Sequence, residues 1–194
     1  MSQFWLYFNL GLQHVLDWQA YDHVLFITVL VAAYSLTEWK KILWLVTLFT
    51  LGHTVSLALS TFEIVKVKSE LIEFLIPLTI LLTAVYNLTK AGKKGRNNKI
   101  QVLYFATIFF GIIHGLGFST YFKMISGSAT NKALPLLEFA LGIETAQIIV
   151  VLAVLLISFL VQYLFKFSQR DWILVVSSIV IGFAIPMLIE NIFW

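Results

Sequence analysis

Four histidines, His14, His23, His53 and His114, stand in or beside long apolar stretches, together with the carboxylates Asp22, Glu73, Glu138 and Glu144. Neutral imidazole suits nickel, cobalt, zinc and copper, and a carboxylate supplies the charge that neutralises a dication leaving water. The sequence holds no cysteine. Disulfides, iron–sulfur clusters, thiolate zinc and cysteine nucleophiles are therefore excluded, and any metal here meets nitrogen or oxygen. Spacing adds polar faces. Thr47, Thr50, His53 and Thr54 fall on one side of a helix, and Glu144 and Gln147, three apart, share another. A single histidine can equally be a packing residue, and Asp22-His23 can equally be a helix cap with its neighbour. His53 and His114 differ because both lie deep in apolar runs, where an ionisable group needs a partner or a purpose.

The elements that carry these residues follow from composition. Of 194 residues, 60% are hydrophobic and 12% charged, with a mean hydropathy of +0.91. That is about half the charge of a soluble domain, so the chain is expected to be a single all-α membrane domain over residues 1–194 with the lipid bilayer as its surroundings. A net charge of +3 with no basic helix or arm excludes nucleic acid as a partner. Six apolar runs are long enough to be expected as membrane helices: 20–37, 41–62, 70–89, 101–122, 133–165 and 172–193. The stretch Phe4–Leu16 is too short to span and is expected to lie at the interface or re-enter.

With six spans, one set of loops holds Lys40, Lys41, Lys90, Lys93, Lys94, Arg96, Lys99, Lys166 and Arg170, and the other only Lys66, Lys68, Lys123 and Lys132. The positive-inside rule puts the first set in the cytoplasm and both termini outside. Depth then follows from the helical rise. Asp22 and His23 are expected near the outer surface with Glu73 and Glu138, His53 and His114 about 12–13 Å down, and Glu144 about 16 Å down. Gly111, Gly115 and Gly117 flank His114 and predict a close helix contact there. Two echoes, Glu73 with Glu138 and Phe49-x-x-x-His53 with Phe110-x-x-x-His114, suggest a parallel repeat of the second and third spans in the fourth and fifth.

Taken together, Gly11-Leu12-Gln13-His14, Asp22-His23-Val24-Leu25-Phe26, Phe49-Thr50-Leu51-Gly52-His53-Thr54-Val55-Ser56-Leu57, Glu73, Ile113-His114-Gly115-Leu116-Gly117-Phe118 and Leu141-Gly142-Ile143-Glu144-Thr145-Ala146-Gln147 resemble the HupE/UreJ family of bacterial membrane proteins. The resemblance implies a multi-pass protein of the bacterial inner membrane that takes up nickel or cobalt. Its polar signature falls on His14, Asp22, His23, His53, Glu73, His114, Glu144 and Gln147. The link from His14 to Asp22 is two residues longer than the family's, and Ala140 stands where the family has Asn.

The expected mechanism is a permease. Asp22, His23 and Glu73 capture a divalent transition metal ion (nickel, cobalt or zinc) at the outer mouth, and His53, His114 and Glu144 bind it near the midplane, with His14 a further candidate ligand. Gln147 supports the ligands from behind, and Thr50 and Glu138 line the path. Capture needs neutral imidazole, so uptake should fall below about pH 6.5. The alternative is an intramembrane zinc hydrolase with His23, His53 and His114 as ligands and Asp22 or Glu144 as base. No Walker-type phosphate loop is present, and a second copy of the chain or another membrane subunit remains a candidate partner.

Overall fold

The computed structural model describes residues 2–92, 100–127 and 132–194. In chain order its helices are α1 (Gln3–Leu16), α2 (Asp22–Val31), α3 (Trp39–Thr61, preceded by a 3-10 turn at Leu36–Glu38), α4 (Ser69–Lys90), α5 (Ile100–Gly117), α6 (Ser119–Ser126), α7 (Ala133–Phe165) and α8 (Gln169–Glu190). The described residues contain no strand. Of the basic stretch Lys90–Lys99, residues 93–99 lie outside the described residues.

Among the described residues, four helices are long and apolar enough to cross a membrane: α3 with its leading turn, α4, α7 and α8. The α5–α6 pair passes as a fifth only if its 53° bend is one broken span. In α7 only 28% of the most apolar window is buried, so most of that apolar surface faces outward, as lipid requires. Backbone chemistry sets the ends. Lys166, in the left-handed region at φ 55°, terminates α7. Ser168 and Asp171 then start α8 by reciprocal capping, each side chain accepting from the other's backbone N–H.

The first expected span, 20–37, is not one helix. Its helical part, α2, is ten residues long, about 15 Å against a hydrocarbon core of about 30 Å. The chain instead reaches along α7 in two pieces. Tyr7 in α1 packs on Phe122, which packs on Phe139 near the start of α7. Beyond α2, Tyr34–Thr37 lie beside Leu155–Gln162 near its end. The α1 segment expected at the interface is therefore packed lengthwise on α7, with α2 continuing it past a break at Asp17–Tyr21.

Glycine makes that packing close. A Cβ at Gly11 would strike the Phe139 carbonyl oxygen, and one at Gly142 the Phe8 carbonyl oxygen. The α3–α5 contact repeats this: a Cβ at Gly52 would strike the Ile108 oxygen, and one at Gly111 the Phe49 oxygen. Position by position, Phe8, Gly11, Leu12 and His14 correspond to Ile108, Gly111, Ile112 and His114, and Phe49, Gly52 and His53 to Phe139, Gly142 and Ile143. Each crossing has one Gly-x-x-His helix and one Phe-x-x-Gly helix.

The two crossings run in opposite senses. α3 begins beside the end of α7 and then meets Glu144 through Thr47, so α3 and α7 are antiparallel. The repeat is thus inverted, α1–α4 against α5–α8. It corrects the parallel repeat suggested by the echoes of Phe49/His53 with Phe110/His114, which lie on two helices packed against each other.

Candidate metal centre

Three imidazoles from three helices converge at the break between α1 and α2. His14 closes α1, His23 opens α2, and His53 lies on α3, 14 residues and about 21 Å from Trp39. One ring nitrogen from each can be chosen so that all lie within 4.8 Å of one another. Ring centroids are 4.5 Å apart for His14–His23, 5.5 Å for His14–His53 and 5.7 Å for His23–His53. His114 stands beside them, its ring 5.1 Å from that of His23.

Among the described residues, the partners of these rings leave several ring nitrogens without a hydrogen bond. Asp22, in the first turn of α2, accepts from His23 Nδ1 at 3.0 Å and from the His23 backbone N–H at 2.8 Å. That bond fixes the ring and leaves Nε2 as the free base. His114 Nδ1 donates to the Phe110 carbonyl oxygen at 2.9 Å, again leaving Nε2 without a partner. His14 Nε2 and both nitrogens of the fully buried His53 have no hydrogen-bond partner. An unsatisfied buried polar group costs about 1–3 kcal/mol, and four such imidazoles in one place are an arrangement a ligand would repay.

Aromatic rings wall the cluster. Phe118 lies 3.9 Å from His14 by ring centroids and stacks on Phe139 at 5.1 Å, while Phe49 lies 5.0 Å from His114 and stacks on Phe26 at 4.8 Å. The inverted repeat places these walls: Phe139 faces His14 as Phe49 faces His114. This aromatic lining was not among the expected site residues; its signal in the sequence is the recurrence of Phe-x-x-Gly in 49–52 and 139–142. A cavity of about 820 Å³ reaches His14 past Gln13, Asp17, Trp18 and Tyr121.

The remaining predicted residues divide. Asp22 and His23 were expected at an outer mouth apart from His53, but the rings of His23 and His53 lie 5.7 Å apart by centroids. Glu144 was expected with His53 and His114. It is instead held by Thr47 and Thr50 of α3, with the Thr47 hydroxyl donating at 2.6 Å. Buried Gln147 sits behind it, with Oε1 3.2 Å from Thr50 Oγ1. Glu73 is exposed near the start of α4 and is not brought to the imidazoles. Glu138 is buried with Oε2 unpartnered, outside the three-histidine group.

A model of the HupE / UreJ protein family matches residues 1–190. The chain belongs to the HupE/UreJ family. This family is associated with transport of nickel and cobalt, and the apolar helices of this member make it a membrane protein. No curated protein and no solved structure matches the chain.

Proposed function

We propose that this HupE/UreJ protein is a permease for a divalent transition metal ion, nickel or cobalt, bound by His14, His23 and His53 with His114 as a fourth ligand. The observation that carries this reading is the convergence of unpartnered imidazole nitrogens from three separate helices. Imidazole is a good donor for both ions, and neutral ligands hold a dication without trapping it as several carboxylates would. Asp22 supplies one negative charge through His23 and raises the basicity of that ring.

The path begins in the cavity at the α1–α2 break, where His14 is the first imidazole met. We take α1 with α2 as one broken crossing and α5 with α6 as another, giving six crossings in two inverted sets of three. Both termini then lie outside the bacterial inner membrane. Transporters built from inverted repeats place their cargo at discontinuous helices near the repeat interface, which is where these histidines lie.

The hydrolase reading has less support. Three histidines and a water would suffice for zinc, but each carboxylate offered as a base is engaged elsewhere, Asp22 by His23 and Glu144 by Thr47 and Thr50. Purified protein in liposomes tests the proposal. Time-dependent accumulation of radioactive nickel or cobalt is expected, and it should be lost in His23→Ala and His53→Ala. Uptake equal to that of empty liposomes, or undiminished in the His53→Ala/His114→Ala double variant, would refute it.

A further inference from the structure

We propose that Glu144, Thr47, Thr50 and Gln147 form a second cation site, separate from the imidazoles, that binds a sodium ion and couples its movement to that of the transition metal. The coupling rests on the permease reading above, but the binding does not.

The cluster joins α3 to α7, the two corresponding helices of the inverted halves. Coupling ions in inverted-repeat transporters are held at such a junction, where relative movement of the halves makes or breaks the site. Thr50 and Thr47 precede His53 by three and six residues, about 4.5 and 9 Å along the same helix. A cation there can influence the imidazoles through α3 while sharing none of their ligand atoms.

Both carboxylate oxygens of Glu144 face threonine hydroxyls, Oε1 that of Thr47 and Oε2 that of Thr50. Gln147 Oε1 and the Val46 carbonyl oxygen lie 3.2 and 3.3 Å from Thr50 Oγ1. All of these are oxygens, suited to a hard cation, whereas the histidine cluster offers nitrogen to a borderline one. A proton needs a single base, and this cluster gathers oxygens from four side chains and one carbonyl. Gln147 is fully buried, and its Nε2 is unpartnered, so the amide is fixed by its oxygen alone.

Charge selects the valence. Glu144 forms no ion pair among the described residues. A monovalent ion brings the site to neutrality, whereas a divalent ion would leave uncompensated positive charge between two apolar helices, which is costly.

Equilibrium binding of radioactive sodium to the purified full-length protein, in a choline-based buffer, tests the site directly. Saturable binding of one ion per chain is expected. Thr50→Val should weaken it at least tenfold and Glu144→Gln should abolish it. Thr145→Val, whose hydroxyl donates only to the Leu141 carbonyl of its own helix, should not change it. Nickel binding measured without sodium should stay within twofold for Thr50→Val, which shows that variant folded and keeps the two sites distinct. In liposomes, an inward sodium gradient should accelerate nickel uptake, and a pH gradient at equal sodium should not. No saturable sodium binding by the unsubstituted protein, sodium binding indifferent to both Thr50→Val and Glu144→Gln, or uptake driven by the pH gradient alone would overturn the proposal. Sodium binding without nickel binding would sink the permease reading and leave this site standing.

Discussion

Replacing Asp22 separates the work of an orienting carboxylate from that of the imidazoles themselves. Its Oδ1 holds His23 Nδ1–H at 3.0 Å and the His23 backbone N–H at 2.8 Å. A hydrogen bond to a charged group contributes about 1.5–3 kcal/mol net, and one between neutral groups about 0.5–1.5 kcal/mol. Asp22→Asn keeps an oxygen acceptor for Nδ1 but removes the charge, so it should lose about 1 kcal/mol of metal binding, roughly fivefold in Kd. Asp22→Ala also frees the ring to rotate and to swap tautomers. It should lose about 1.5–3 kcal/mol, roughly 10–150-fold, in line with other carboxylates behind metal-bound histidines. Equilibrium dialysis against nickel, with the protein in detergent at fixed pH, reads both values. Wild-type affinity in a folded Asp22→Ala variant, or equal losses in Asn and Ala, would refute the assignment of Nε2 as the metal-facing nitrogen of His23.

His53→Ala should abolish high-affinity nickel binding, whereas His114→Ala, outside the three-histidine group, should weaken it about tenfold or less by the same dialysis. Gly142→Ala places a methyl against the Phe8 carbonyl oxygen and should destabilise the fold by at least 1–3 kcal/mol, seen as a lower Tm or loss of monodisperse protein. Gly182→Ala, which meets nothing within 4 Å, should be neutral or stabilising by up to about 1 kcal/mol. Asn87→Leu removes the 2.6 Å bond from Nδ2 to the Val29 carbonyl oxygen that ties α4 to α2, and should lower thermal stability by about 1–3 kcal/mol.

Hydropathy found the long helices because their apolar runs are their own signal. The run at 133–165 is α7 residue for residue, and those at 41–62, 70–89 and 172–193 match α3, α4 and α8 within about three residues at each end. It failed on 20–37, where apolar side chains continue through Ala32, Ala33 and Tyr34 although the backbone turns out of the helix. Hydrophobicity records what a side chain prefers, not whether its backbone continues a helix. The histidines were legible as a set. That His14 belongs with His23 and His53 depends on α1 lying on α7 through Gly11 and Gly142, a contact between residues far apart in sequence. The company of Glu144 was not legible, because helical rise fixes height along a helix and leaves open which neighbouring helix a side chain meets. Thr47 and Thr50 on α3 were that neighbour.

The glycine seams join the two halves of the chain crosswise. α1 of the first half is seated on α7 of the second, and α3 of the first on α5 of the second, so each glycine seam takes one helix from each half. At about 5–20 residues per second of synthesis, α1 waits roughly 7–26 s before Gly142 is added to receive Gly11. Over that interval the Gly11–Gly142 contact that seats the helix carrying His14 cannot form. That seam therefore closes late in biogenesis, and a ribosome stalled before α7 would leave a partial product with its first helix unseated.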